Sequence, residues 1–302
     1  MTLSLETTKT DSPLRVDTWR LLTGFDLPGP LNMAIDEALL DSVIAGGVPV
    51  VRFYTWGPAT LSLGTNQAVG EIDREACAAR GFGLVRRLTG GRAVLHQHEL
   101  TYSVIAREND PRVSGGVVES YRKISAALVE GLQTLGASVS LAAPDRALLR
   151  AMSARRVLTL DEGYDAPEGS SAVCFDAASA YELTAGGKKL VGSAQARRGG
   201  ALLQHGSILL DIDWDAWVSV FAYASEAGRR RAYTKLPERM TSLQHELGRT
   251  IAPEELLSAL IPAFERQLHI SLNPAALDHG EETVALKLAA EKYGSEAWTA
   301  RR

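Results

Sequence analysis

The stretch RRLTGGRAVLHQHE, Arg86 to Glu99, packs two arginines, a Gly-Gly pair, a third arginine and two histidines into one short run. Three readings compete: a phosphate cradle, a metal site, or the wall of a pocket. A phosphate cradle of the Walker type needs G-x-x-x-x-G-K-[ST] and a dinucleotide site needs G-x-G-x-x-G, and neither pattern occurs in the chain. Gly90-Gly91 alone is ordinary turn chemistry. His96 and His98 are spaced to share one face of a strand, as metal ligands could. No third ligand stands at a recognisable spacing, so hydrogen-bonded histidines and no metal are expected. The run reads as pocket wall, and the elements around it decide what kind of fold holds it.

Working outward, VPVVRFYTW and ATLSLG precede the run, FGLVRRL leads into it and LTYSVIA follows; each is a short β-rich segment bounded by Gly, Pro or Asn. Helical spacing appears on either side. Leu31, Ile35, Ala38, Leu39 and Val43 form one apolar stripe, ended by Gly46-Gly47. Val117, Tyr121, Ile124, Leu128, Leu132 and Leu135 form another, ended by Gly136. In YELTAGGKKLVGS two strand-like runs flank Gly186-Gly187, a hairpin turn in which both central residues tolerate positive φ. From about Asp213 onward the pattern is helical, with Pro253, Glu254 and Glu255 opening a segment whose Leu257, Leu260, Ile261, Phe264 and Leu268 share a face. Interleaved strands and helices without repeats predict a mixed α/β fold.

With 302 residues, 45% of them apolar, the chain can bury a large core. The polar opening MTLSLETTKTDS offers no apolar stretch for a signal peptide, and no run approaches the roughly 18 apolar residues of a membrane span. A cytoplasmic protein without membrane contact is expected, with residues 1–16 disordered or loosely packed and 17–302 a single domain. Two cysteines, Cys77 and Cys174, without a CxxC argue against a disulfide framework or structural zinc. A net charge of −4 argues against bulk nucleic-acid binding, although arginines cluster at 86 and 87, 155 and 156, 197 and 198, and 229 to 231.

NMAIDEALL, RFYTWGPATLSLGTNQ, RRLTGGRAVLHQHELTYSV, GGKKLVGSAQARRGGALLQHGSILLD and EKYGSEAWTARR, in that order, resemble the biotin/lipoate protein ligase family. The likeness runs from about Asp17 to the C-terminus and is to lipoate-protein ligases and protein octanoyltransferases. It implies an α/β catalytic domain of the class II aminoacyl-tRNA synthetase/biotin synthetase type, with a mixed sheet and helices around a narrow acyl pocket. ATP-using ligases commonly carry a third glycine where this chain has Arg92, and glycine there lets the backbone approach an adenylate. SAVCFDAASAYEL places Cys174 where cysteine-dependent octanoyltransferases of the LipM type carry their nucleophile.

The resemblance thus implies Cys174 as nucleophile. Lys188 and Lys189 both stand near, and strand alternation sends them to opposite faces without choosing between them. The resemblance to G-x-K-[IL]-x-G-S-A selects Lys189 as the ammonium that favours the thiolate, leaving Lys188 on the surface. Arg87, Gly90, Gly91, Arg92, Ala93, Val94 and His96 would shape the substrate pocket, with backbone N–H groups of the Gly pair as oxyanion donors. No cofactor and no metal are implied. The partners are octanoyl-acyl carrier protein as donor and lipoyl-domain proteins, the glycine cleavage H protein or 2-oxo acid dehydrogenase subunits, as acceptors.

Other readings stay open: an ATP-dependent lipoate ligase, an amidotransferase between lipoyl domains, and a non-catalytic acyl-binding protein. Arg86 and Arg92 also fit plain structural ion pairs. Cys77 reads as a small buried hydrophobe and His205 as a supporting residue. Arg146, Arg150, Arg155 and Arg156 offer a basic patch for an acidic partner.

Overall fold

The computed structural model describes residues 16–142 and 182–302. Cys174 and the arginines at 146, 150, 155 and 156 lie outside the described residues, as do 1–15.

Eleven strands and nine α-helices can be traced among the described residues. The order begins β1 (Asp17–Leu27), α1 (Gly29–Ile44), β2 (Val50–Trp56), β3 (Thr60–Leu63), α2 (Arg74–Ala79), β4 (Gly83–Arg86), β5 (Val94–His96), β6 (Glu99–Arg107) and α3 (Val117–Thr134). It continues with β7 (Val139–Leu141), β8 (Leu183–Ala185), β9 (Lys188–Arg198), β10 (Ala201–Leu209), α4 (Trp214–Ser219), α5 (Glu226–Arg239) and α6 (Leu243–Leu247). The chain closes on α7 (Pro253–Leu268), β11 (Ile270–Pro274), α8 (His279–Leu288) and α9 (Glu296–Thr299), with a π-helical turn, Ala289–Tyr293, between the last two.

Eight strands form one sheet in the order β11-β1-β2-β6-β10-β9-β8-β7, and β4-β3-β5 form a second. Pairing is parallel from β11 through β1 to β2 and antiparallel from β2 onward, which makes the large sheet mixed. Strand periodicity assigns its two faces. Val51, Phe53, Tyr102 and Val104 point into a core with Ile124, Leu128 and Leu132 of α3 and Leu257, Leu260 and Phe264 of α7. Val50, Ile105 and Leu203 point the other way, onto Ile35, Leu39 and Val43 of α1 and Ala285 of α8. Phe264 meets Phe53 edge to face, with ring centroids 5.6 Å apart at 85°. That geometry adds about 0.5–1.5 kcal/mol to the burial itself.

The helices at Leu31–Val43 and Val117–Leu135, the strands around Arg86–Glu99 and the Gly186-Gly187 hairpin all appear where local patterns put them; the two turn glycines adopt φ of 55° and 77°. Two expectations are corrected. The tail is not wholly helical: Ile270–Pro274 is a strand that pairs in parallel with β1, from Asp17↔Ile270 to Leu21↔Pro274. Five residues carry too little alternation to announce a strand, and the pairing partner lies some 250 positions away. His96 and His98 do not share a strand face either. β5 ends at His96, and His98 sits exposed in a left-handed turn at φ 50°, so the alternation breaks between them.

Candidate active site

The small sheet lies against the α1 face of the large one, and a narrow cavity opens at the seam. Ser62, Arg87, Gly91, Val94 and His96 line it from the small-sheet side. Gly192, Ser193 and Ala194 of β9 and His205, Gly206 and Ser207 of β10 form the opposite wall, with Trp56, Thr101 and Met33 completing it. A Cβ at Gly206 would fall 2.5 Å from Ser193 Oγ and 2.6 Å from the Gly192 carbonyl oxygen, so glycine is required for this close approach.

Behind the cavity wall runs a continuous buried polar chain. It starts at Asp36, a carboxylate in the apolar stripe of α1, which is 1% exposed. Arg52 Nη1 donates to Asp36 Oδ1 at 2.8 Å and Tyr54 Oη to Oδ2 at 2.9 Å, while Arg52 Nη2 donates to Asn32 Oδ1 at 2.6 Å. Burial alone would raise the Asp36 pKa, but Arg52 and then His205 outweigh it and hold the carboxyl below its ordinary value. The same Asp36 Oδ2 accepts from His205 Nδ1 at 3.2 Å.

His205 Nε2 meets Thr89 Oγ1 at 2.7 Å, and Arg87 Nε donates to that same hydroxyl at 3.1 Å. Arg87 Nη1 reaches Ser62 Oγ at 3.1 Å, and Ser62 Oγ meets His96 Nε2 at 2.8 Å. His96 Nδ1 faces Glu99 Oε2 at 3.6 Å. The arrangement is symmetric about Arg87. Its N–H groups occupy a lone pair on each hydroxyl, which turns each hydroxyl proton toward a histidine Nε2 and leaves Nδ1–H on each ring; that of His205 donates to Asp36, whereas that of His96 faces Glu99 beyond hydrogen-bond distance. These partners assign the Nδ1–H tautomer to both histidines. Burial pushes the His96 pKa down, against Glu99, which keeps the ring neutral.

Arg87 also donates through Nη2 to the carbonyl oxygens of Gly90 and Arg92, both at 2.8 Å. Its fork therefore shapes the glycine turn from inside, where Gly91 adopts φ 94°. Of the residues singled out in the sequence, Arg87, Gly91, Val94 and His96 line the cavity; Gly90, Arg92 and Ala93 stand outside its lining. Ala93 is buried in the apolar cluster with Leu61, Leu95 and Trp217. Arg92 turns away to Glu71, at 2.9 Å. Arg86 is buried on the far side and donates to the carbonyl oxygens of Gly64 and Gln67 at 2.7 Å and of Thr299 at 2.8 Å, tying the C-terminal segment to the loop before the run. Burial and the neighbouring Arg301, Arg302 and Arg87 lower its pKa to about 10.

Lys189 is 5% exposed and ion-paired with Glu182, which is 3% exposed. The register of β8 and β9 steps by one residue on β8 and by two on β9 between Leu183↔Val191 and Thr184↔Lys189, so Leu190 is an extra residue. Such a bulge resets the alternation of side chains, which is why the phase of the strand could not choose a lysine. Lys188 remains partly exposed. Lys189 is not itself in the cavity lining, although Gly192 of the same strand is. Among the described residues no cluster of His, Cys, Asp and Glu is arranged to hold a metal, and no helix is long and apolar enough to cross a membrane. Cys77 is buried, and burial and Asp73 push its thiol to about 11, the reverse of an activated cysteine.

Asp36, Arg52, Thr89, Glu99 and Glu182 were not singled out from sequence. The available signal was a charge inside an apolar pattern: Arg52 within VVRFYTW, and Asp36 beside Ile35 in the buried stripe.

A mixed sheet carrying a glycine-turn wall and a Gly-Ser-Ala strand on either side of one narrow cavity defines a catalytic domain of the lipoate-ligase class. A bi-partite lipoate protein ligase from Thermoplasma acidophilum superposes with a TM-score of 0.75 at 25% identity, covering 94% of this chain and 96% of that one. A crystal structure of lipoate-protein ligase A bound with ATP gives 0.72 at 26% identity, over 94% and 98%. The chain belongs to the lipoyl protein ligase A/B catalytic domain family, whose model matches residues 28–265. Curated relatives include proteins named Octanoyltransferase LipM. That of Moorella thermoacetica is 44% identical over 289 residues, 95% of this chain and 99% of the relative. That of Geobacillus kaustophilus is 42% identical over 288 residues, with the same coverage.

Proposed function

We propose that this chain is an octanoyltransferase of protein lipoylation, working through an acyl-cysteine. The observation that carries the reading is its identity of 44% over nearly full length to an octanoyltransferase, against 26% to the ligase bound with ATP. Cys174 stands in the motif that matches the cysteine-dependent enzymes.

In this reading the Cys174 thiolate attacks the octanoyl thioester of acyl carrier protein. A new C–S bond forms, the old one breaks, and the carrier leaves as a thiol after taking up a proton. The ε-amine of a lysine in a lipoyl domain, on the glycine cleavage H protein or a 2-oxo acid dehydrogenase subunit, then attacks the acyl-cysteine. An amide forms, the amine loses a proton, and the cysteine is released. Lys189, oriented by Glu182, supplies the positive charge that favours the thiolate. Backbone N–H groups of the Gly90-Gly91 turn, held from behind by Arg87, receive the oxyanion. The octanoyl chain lies in the cavity between Val94 and the Gly192–Ala194 strand.

Intact mass spectrometry after mixing the protein with octanoyl-acyl carrier protein and no ATP tests this. An octanoyl adduct is expected, and Cys174→Ala abolishes it while Cys77→Ala retains it. Octanoylation of a lipoyl domain that requires ATP and free octanoate, with no adduct on the enzyme, would replace the reading with a ligase.

A further inference from the structure

Helix α5, Glu226–Arg239, carries five cations, Arg229, Arg230, Arg231, Lys235 and Arg239, against two carboxylates. The whole chain has a net charge of −4, so this is a local reversal of sign. All five cations are exposed, and Leu236 is the one residue of the helix that is buried. Glu226 lies 4.0 Å from Arg229 and Glu238 lies 2.8 Å from Lys235, which engages both acids of the helix. Among the described residues no carboxylate is within ion-pair distance of Arg230 or Arg231.

Arg231, Lys235 and Arg239 follow at intervals of four and so share one stripe of the surface. Arg231 on this stripe and Arg230 beside it are exposed, and an acidic partner laid along the helix would meet them directly.

The C-terminal end of the helix shows what such a partner would deliver. Met240, the next residue, bridges to Lys189, and Thr241 N donates to the Lys189 carbonyl oxygen at 3.0 Å. At 1.5 Å per residue, Arg231 stands about 13 Å along the axis from that junction. The four methylenes of an acceptor lysine are shorter than that distance. A donor that presents its acyl group on a long thioester arm can dock on the helix and still reach the site.

We propose that the exposed face of α5 is the docking surface for the acidic carrier protein that delivers the acyl thioester. The proposal rests on the acyl-enzyme reading above. Docking here steers the encounter electrostatically and leaves the chemical step untouched.

The test is the double variant Arg230→Glu/Arg231→Glu, with Arg230→Ala/Arg231→Ala as a milder companion. The second-order rate of enzyme acylation is measured with octanoyl-acyl carrier protein and, in parallel, with octanoyl-pantetheine, across a salt series. With the carrier, the charge-reversed variant is expected to be about tenfold slower at low salt, with a flatter salt dependence, and the alanine variant intermediate. With octanoyl-pantetheine all three proteins should match. Wild-type acylation that neither variant slows would overturn the docking surface alone, as would an equal loss with octanoyl-pantetheine. A defect confined to the later transfer step would assign the helix to the acceptor and overturn the proposal. Failure of wild type to take octanoyl from either donor would remove the acyl-enzyme reading and the docking surface with it.

Discussion

Replacing Asp36 by asparagine tests whether the polar chain behind the cavity is held by a buried charge. The substitution conserves shape while removing one of two paired charges, each 2% exposed at the side chain. Arg52 then keeps its bonds to Asn32 but loses its carboxylate at 2.8 Å, and the hydroxyl of Tyr54 and Nδ1–H of His205 lose an ionised acceptor. Leaving a buried cation uncompensated costs about 3–5 kcal/mol. For a chain of this size, at about 2 °C per kcal/mol, Tm falls by roughly 6–10 °C. Urea unfolding at pH 7 measures the loss. Adding Arg52→Met to the variant should cost much less than the sum of the two single changes, because no unpaired charge then remains. Transfer activity falls by on the order of tenfold or more, since His205 loses the acceptor that orients it toward Thr89 and the glycine turn. A loss below about 1 kcal/mol, or strict additivity in the double variant, would refute the claim that the ion pair organises this wall.

Cys77, with its thiol pushed up to about 11, should resist iodoacetamide in the folded protein at pH 8 and react only after unfolding; rapid native labelling would contradict its burial. Gly206→Ala places a methyl group against the Gly192 carbonyl and Ser193 and should destabilise the fold by a few kcal/mol while closing the cavity, seen as lost octanoyl transfer together with a lower unfolding midpoint. Burial lowers the pKa of His96 in the folded state, so below about 6.5 the unfolded chain binds a proton that the folded chain refuses. Stability should therefore fall as pH drops through that window, and His96→Gln should flatten the slope measured by urea midpoints. Arg86→Ala removes the anchoring contacts to the carbonyl oxygens of Gly64, Thr65, Gln67 and Thr299, and hydrogen exchange should speed up in residues 296–302 while the Val117–Thr134 helix is unaffected.

The amino-acid sequence by itself determines whatever is encoded over a few neighbouring residues. The stripes at Leu31–Val43 and Val117–Leu135, the glycine stops after them and the Gly186-Gly187 turn are local, because helix and hairpin preferences are set within one or two turns of chain. The family motifs, also short, brought out Arg87, Gly91, Val94 and His96, and the fold places all four on the cavity. Tertiary structure decided the rest. His205 and Asp36 are 169 positions apart in the chain, and only the packing of α1 on the β10 face makes them partners. Lys189 owes its phase to one extra residue in β9, a shift that alternation cannot report. β11 is a strand because β1 offers it an edge across the molecule. Local patterns state which side of an element is apolar. Which distant side chain meets a buried charge depends on how those apolar faces close over one another, and a buried Asp36 is tolerable only where that closure brings Arg52 to it.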